Sequence, residues 1–289
     1  MDPVFLLIQV LNGLQYGLLL FLIASGLTLV FGIMHVINLA HGAFYMVGAY
    51  LAFSFTQHLG SLWLALILGI PLAAVLGLIV ERVAIRHLYD RDHLDQVLLT
   101  YGLILIINQA QSLVWGNDVH GVPVPPLLDH SIPLTENLDY PLYRIFLSLV
   151  CLAVAGLMAL VIQRTRLGMA IRAGSVNREM VSALGLDVRL ISAFVFSAGA
   201  ALAAFAGMIA APISSVYPGI GDQVLIICFV VVVIGGIGSI KGAFVAALLI
   251  GLVDTFGKVL APDFASVAVY ALMAIVLLMR PQGLFRSGA

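Results

Sequence analysis

Charge is what this sequence has least of. Only 9% of its 289 residues are Asp, Glu, Lys or Arg, and none of these falls between Asp2 and Glu81. A soluble domain carries about 25%. A surface so poor in charge cannot face water, so it must face lipid or other apolar helices. The formal net charge of -1 lacks the positive excess typical of nucleic-acid binders, and no nucleic-acid partner is expected. Cysteine is scarce too. Cys151 and Cys228 both lie in apolar runs, without metal-ligand spacing, and read as buried free thiols. Also missing are GxxxxGK[ST], HExxH and GxSxG. Lys241 is followed by Gly242, which fails the phosphate-cradle spacing. The acidic residues do not cluster as paired catalytic carboxylates. No enzyme activity, cofactor or metal is expected, and uphill transport would need an ion gradient or another chain.

What is present is apolar sequence: 62% hydrophobic residues and a mean hydropathy of +1.14. A helix crossing lipid needs about 20 mostly apolar residues. The continuous runs predict helical segments near 8–31, 42–58, 61–87, 96–116, 140–163, 190–212, 224–239, 241–260 and 264–280. They lack the alternation of a barrel, so the expected fold is all-α, a polytopic membrane protein with about 8–10 transmembrane helices. Breaks are expected near 32–42 and 234–242. Residues 1–289 read as one transmembrane domain. The start, MDPVFLLIQVLNGLQYG, lacks a basic n-region and reads as a retained first span rather than a cleaved signal.

Orientation follows from positive charge. With the N-terminus outside, Arg82, Arg86, Arg91, the five arginines of 164–189, Lys241, Arg280 and Arg286 face the cytoplasm, and so does the C-terminus. Only Arg144 and Lys258 do not. Loop 116–141 then lies outside; its five prolines predict a stiff, non-helical connector or an external docking surface.

Inside the spans, Gln9, Asn12 and Tyr16 share one helical face, as do Asn108 and Ser112. Such stripes either face a pore or bond between helices, and the second reading is favoured. Gly199, Ala203 and Gly207 form a small-residue packing ridge. His35 and His41 flank Asn38. A proton relay would need a buried acid, and Asp254 is better read as an ion pair with Lys258, four residues on. NLAHG is read instead as a chain break. A second break is IGGIGSIKGAF. HGAFYMVGAY and KGAFVAALLIG resemble each other, hinting at an internal duplication. The translocation route is expected at these breaks and on the first span: Asn12, Asn38, His41, Gly42, Gly235, Gly236, Gly238 and Ser239.

The basic segment 164–189 holds NREMVSALG, which reads as a short helix capped by Asn177 and stopped by Gly185. Met180, Val181 and Leu184 are expected on one face. A second small helix is expected over GMAIRA, with Ala170 and Ala173 on one side. Positive-inside placement explains the charge, but a capped amphipathic helix points to a cytoplasmic partner.

GLTLVFGIMHVINLAHGAFYMVGAY, TRLGMAIRAGSVNREMVSALGLD, GGIGSIKGAFVAALLIG and RPQGLF resemble the permease subunits of branched-chain amino acid ABC importers, specifically the shorter, H-type permease. The resemblance covers essentially the whole chain. It implies a second, non-identical permease, two cytoplasmic ATP-binding subunits and a periplasmic binding protein, assembled at the bacterial inner membrane. Segment 164–189 would dock in an ATPase cleft through Arg166, Gly168, Ala170, Arg172, Ala173, Asn177, Glu179, Ala183 and Gly185. Leucine, isoleucine and valine are the implied substrates; other relatives serve urea, short amides or aromatic acids. The alternative from a different class is an ion-coupled transporter or channel, which would show more buried charge along its path.

Overall fold

The computed structural model describes residues 3–34, 36–89, 91–135 and 138–285. Apolar segments this long can satisfy their backbone N–H and C=O groups in lipid only internally, so they form helices. In chain order these are α1 (Pro3–Met34), α2 (His41–Leu59), α3 (Leu62–Val83), α4 (His93–Trp115), α5 (Leu142–Arg164), α6 (Arg166–Val176), α7 (Arg178–Ala183), α8 (Val188–Ala210), α9 (Ile220–Gly235), α10 (Ile240–Leu260) and α11 (Ala265–Met279). Six of them, α1, α3, α4, α5, α8 and α10, are long and apolar enough to cross a membrane, while α9 and α11 carry shorter apolar stretches. With the 19-residue α2, all nine expected segments are present, and the protein is an all-α polytopic membrane protein.

Two boundaries move for a clear reason. The segment expected at 224–239 starts at Ile220 and stops at Gly235, because Gly236 and Gly238 take φ of 96° and 79°. That left-handed backbone ends a helix. The segment expected to reach residue 87 ends at Val83 and passes into a 3-10 turn over Ile85–Leu88. Loop 116–141 also holds more structure than expected. Strands β1 (Ser131–Thr135) and β2 (Leu138–Pro141) pair antiparallel, Ile132 opposite Tyr140, with an irregularity between Pro133 and Thr135. The loop is tied down again where His120 pairs with Val216 and stacks on Phe53 at 4.2 Å.

Close glycine contacts show how the helices are arranged. α1 runs antiparallel to α10. Gly13 abuts Gly251 and Leu252, Gly17 abuts Ala247 and Leu248, and Gly32 abuts Gly238. α3 runs antiparallel to α8 in the same manner, with Gly69 against Met208 and Gly77 against Ala200. Gly174 in α6 lies near Ile33 at the end of α1, and α6 and α7 both pack on α8, so α8 starts where α1 finishes. The two cross where a β-carbon on Gly26 would stand 2.8 Å from the Gly199 carbonyl oxygen, and one on Gly199 3.1 Å from that of Gly26. α2 and α9 begin against each other through Gly42 and Gly221, again reciprocally. Helices α1–α4 therefore correspond to α8–α11 in reversed direction, an inverted repeat. The resemblance of HGAFYMVGAY to KGAFVAALLIG is not this repeat, since it would pair α2 with α10, whereas the fold pairs α2 with α9. α1 and α8 are the most enclosed of the long spans. The expected ridge is at work there, with Ala203 fully buried and Gly207 pressed on the Tyr45 carbonyl.

Candidate functional site

Between α1 and α2 the chain turns back on itself. His41 Nε2 lies 2.9 Å from the Ile23 carbonyl oxygen. Ile23 precedes the end of α1 at Met34 by 34 − 23 = 11 residues, roughly 16 Å along the helix axis. So α2 begins well inside the layer of long helices. Asn38 steadies the turn, its Oδ1 accepting the Ala40 N–H at 3.1 Å, and both Asn38 and His41 are buried. His35 lies outside the described residues. Gly42 is filled by protein, since a β-carbon there would stand 2.1 Å from the Gly221 carbonyl oxygen.

The second break, residues 236–239, is closed differently. Gly235 and Gly242 pack backbone to backbone. Ser239 caps α10 by accepting the Gly242 N–H at 3.1 Å. Gly236 lies under the Phe285 carbonyl, and the Leu284 and Phe285 N–H groups donate to Ile234 and Gly235 at 2.8 and 3.2 Å. Gly238 meets Gly32 of α1. Asn12 is far from both breaks, near the other end of α1. Its Oδ1 accepts Arg144 Nη1 at 2.6 Å and the Tyr140 hydroxyl at 3.2 Å. Burial holds the Tyr140 phenol above its ordinary pKa, so it remains a donor. The other stripes bond in the same way. Asn108 reaches Asp222 at 3.4 Å, Ser112 reaches Asn117 at 2.8 Å, and Lys258 pairs with Asp254 at 2.6 Å. Among the candidate path residues, the fold brings Asn38, His41 and Gly42 together at one break and Gly235, Gly236, Gly238 and Ser239 together at the other.

The basic segment folds as two capped helices. Thr165 starts α6, its hydroxyl accepting the Gly168 N–H at 3.1 Å. Gly168 sits in the α5–α6 corner, where a β-carbon would stand 2.2 Å from the Ile162 carbonyl oxygen. Arg172 donates to that same carbonyl, one of those left open at the end of α5. Asn177 caps α7 by accepting the Met180 N–H at 2.9 Å. Gly185 ends it at φ 84°. The helix expected over GMAIRA extends to eleven residues.

Burial within α7 differs from the sequence expectation. Val181 is 3% exposed, while Met180 is 58%, Leu184 75% and the preceding Val176 84% exposed. Met180 and Leu184 therefore do not share Val181's buried side. A helix this short turns Val181 and half-buried Arg178 toward the protein and its other apolar residues outward. Arg166, Arg172, Ala173, Glu179, Ala183 and Gly185 are exposed, Ala170 is half-buried and Gly168 is buried.

Arg178 faces inward because of residues that the sequence pattern did not reveal. Its guanidinium sits 4.8 Å from the centre of the Tyr89 ring, and its Nη2 is 3.4 Å from Ser192 Oγ. The Tyr89 hydroxyl donates to Glu81 Oε1, whose residue is 1% exposed at the end of α3. Burial, and then the bond to Glu81, hold the Tyr89 phenol well above its ordinary pKa, so it keeps its proton. No local signal joins residues so far apart in sequence.

Residues 9–277 match the family model described as branched-chain amino acid transport system / permease component. The chain is 34% identical over 293 residues to the high-affinity branched-chain amino acid transport system permease protein BraD of Pseudomonas aeruginosa, covering 96% of this chain and 94% of that one. It is 31% identical to the corresponding permease protein LivH of Escherichia coli K12, with the same coverage. Against permease protein LivM of the same organism it is 30% identical, over 91% of this chain and 67% of LivM. No solved structure gives a significant match. With nine apolar helical segments among the described residues and a family match over nearly its whole length, the chain belongs to the branched-chain amino acid transport system permease component family.

Proposed function

We propose that this chain is the transmembrane permease subunit of an ABC importer for branched-chain or related hydrophobic amino acids. It forms the translocation path with a second, non-identical permease. Two cytoplasmic ATP-binding subunits drive it, and a periplasmic binding protein delivers the solute. The membrane is the bacterial inner membrane, with the N-terminus outside and the C-terminus in the cytoplasm. Similarity to both LivH and LivM, two permease proteins of one organism, supports the unlike pair.

The observation that carries the reading is the exposure of Val176, Met180 and Leu184 on a segment with five arginines. Arginines keep this segment out of the hydrocarbon core, and an apolar patch exposed beside them marks a docking surface. Exposed Ala173 and Ala183 leave room for a close approach. The breaks at 36–40 and 236–239 are assigned to the flanks of the path, since irregular backbone at membrane depth survives only where protein or water covers it. Leu184→Asp tests the docking surface. It should leave membrane insertion intact and release the ATP-binding subunits from the detergent-purified complex. Full retention of those subunits with normal uptake would refute the assignment.

A further inference from the structure

We infer that Glu81, Tyr89 and Arg178 form a latch that ties α7 to the membrane helices and passes its displacement to α3 and α8. This rests on the reading of α7 as the docking helix.

The chemistry of the three side chains makes a directional chain. A buried carboxylate is costly without partners, and Glu81 receives the Tyr89 hydroxyl. The Tyr89 ring presents its electron-rich face to the Arg178 guanidinium, a cation–π contact. Negative charge thus sits at the hydroxyl end of the ring and positive charge over its face. Arg178 also reaches Ser192 in α8, and Ser192 is fully buried. One α7 side chain therefore touches the α3–α4 connection and α8 at once. Beside the latch, a cleft of about 250 Å³ is lined by Glu81, Arg82 and Arg86 on one wall and by Asp187, Arg189 and Leu190 on the other. The end of α3 and the start of α8 are not packed tightly there, so they have room to shift relative to each other. A tilt of α7 changes the height of Arg178 over the ring and its reach to Ser192, so it pulls on both walls. Tyr89 and Arg178 are positioning residues here, because neither touches solute or nucleotide.

The test uses the whole complex, both permeases with ATP-binding subunits and binding protein, in proteoliposomes. This chain carries Ser182→Cys as a cross-linking probe in a Cys151→Ala, Cys228→Ala background. Arg178→Gln and Tyr89→Leu should keep the cross-link to the ATP-binding subunit and the basal ATP hydrolysis. Stimulation of hydrolysis by loaded binding protein should fall about tenfold. The double variant should fall no further than either single one, because both break the same chain. Arg178→Lys should keep most of the stimulation, since it retains a cation over the ring. Unchanged stimulation in the single variants, or a double variant equal to the product of both losses, overturns the latch. So does loss of the cross-link in the latch variants alone, which would make these residues mere supports of α7. If the cross-link fails with the latch intact, α7 does not dock, and the proposal falls with the docking reading.

Discussion

Gly42→Ala adds one methyl group where α2 and α9 begin. That carbon would stand 2.1 Å from the Gly221 carbonyl oxygen and 2.8 Å from Leu225 Cβ. Ordinary contact needs about 3.5 Å, so the helices must part by roughly 1 Å or more. The obstacle on the α9 side is backbone, which no rotamer change can move aside, and interiors packed to crystal density have little slack. Overpacking a core costs about 1–3 kcal/mol, and this site belongs at the upper end. A loss of about 3 kcal/mol corresponds to a melting temperature lowered by roughly 6–12 °C. Gly102→Ala is the control. It lies in α4 with nothing within 4 Å of the added carbon, and helix propensity favours alanine by about 1 kcal/mol. Thermal unfolding of the detergent-purified chain, followed by size-exclusion fluorescence, measures both. If Gly42→Ala melts within about 2 °C of the control, the two helices do not meet through bare backbone. If it keeps its stability and loses transport, the glycine lines the route rather than packing it.

Asn177→Ala removes the cap on α7 and should cost about 1 kcal/mol locally; faster hydrogen exchange at Met180 and Val181 is the readout, and unchanged exchange would count against the cap. In a Cys151→Ala, Cys228→Ala background, Asn117→Cys should react with a membrane-impermeant thiol reagent from outside and Ser175→Cys only once the inner face is opened; the reverse pattern overturns the orientation. Asn12→Ala leaves Arg144 and Tyr140 without their shared acceptor and should speed protease nicking of the β1–β2 hairpin in right-side-out vesicles. Equal nicking rates would show that Asn12 does not anchor the hairpin.

Much of the helical layout was legible because lipid enforces length and apolarity residue by residue, and the caps of α7 were legible because Asn177 and Gly185 act on their near neighbours. The inverted repeat was not. It rests on Gly26 with Gly199 and Gly42 with Gly221, contacts between residues far apart in the chain, while the local GAF resemblance pointed to the wrong pair of helices. The role of Gly42 was hidden for the same reason, since a glycine in a sequence does not show which backbone fills its empty side. The polar stripes held the information that they form bonds but not their partners. Asn12 found Arg144 across the bundle, and Arg178 found Tyr89, because helix packing brought them together.

Among the described residues, α5 stands outside the repeat, and its parity governs everything after it. The first half leaves one face of the membrane in α1 and is back at that face by the end of α4. A chain passing straight from α4 to α8 would begin its second half on the same side, and the halves would be parallel copies. Gly26 and Gly199 could not then meet reciprocally, the bare α-carbon of each against the other's carbonyl oxygen, nor could Gly42 and Gly221. One extra crossing turns the second half over. It also leaves α6 and α7 as the seam between two mirror-running halves, with Arg178 on Tyr89 of the first and near Ser192 of the second. A force applied at that seam reaches both halves at once, through Tyr89 on one side and Ser192 on the other.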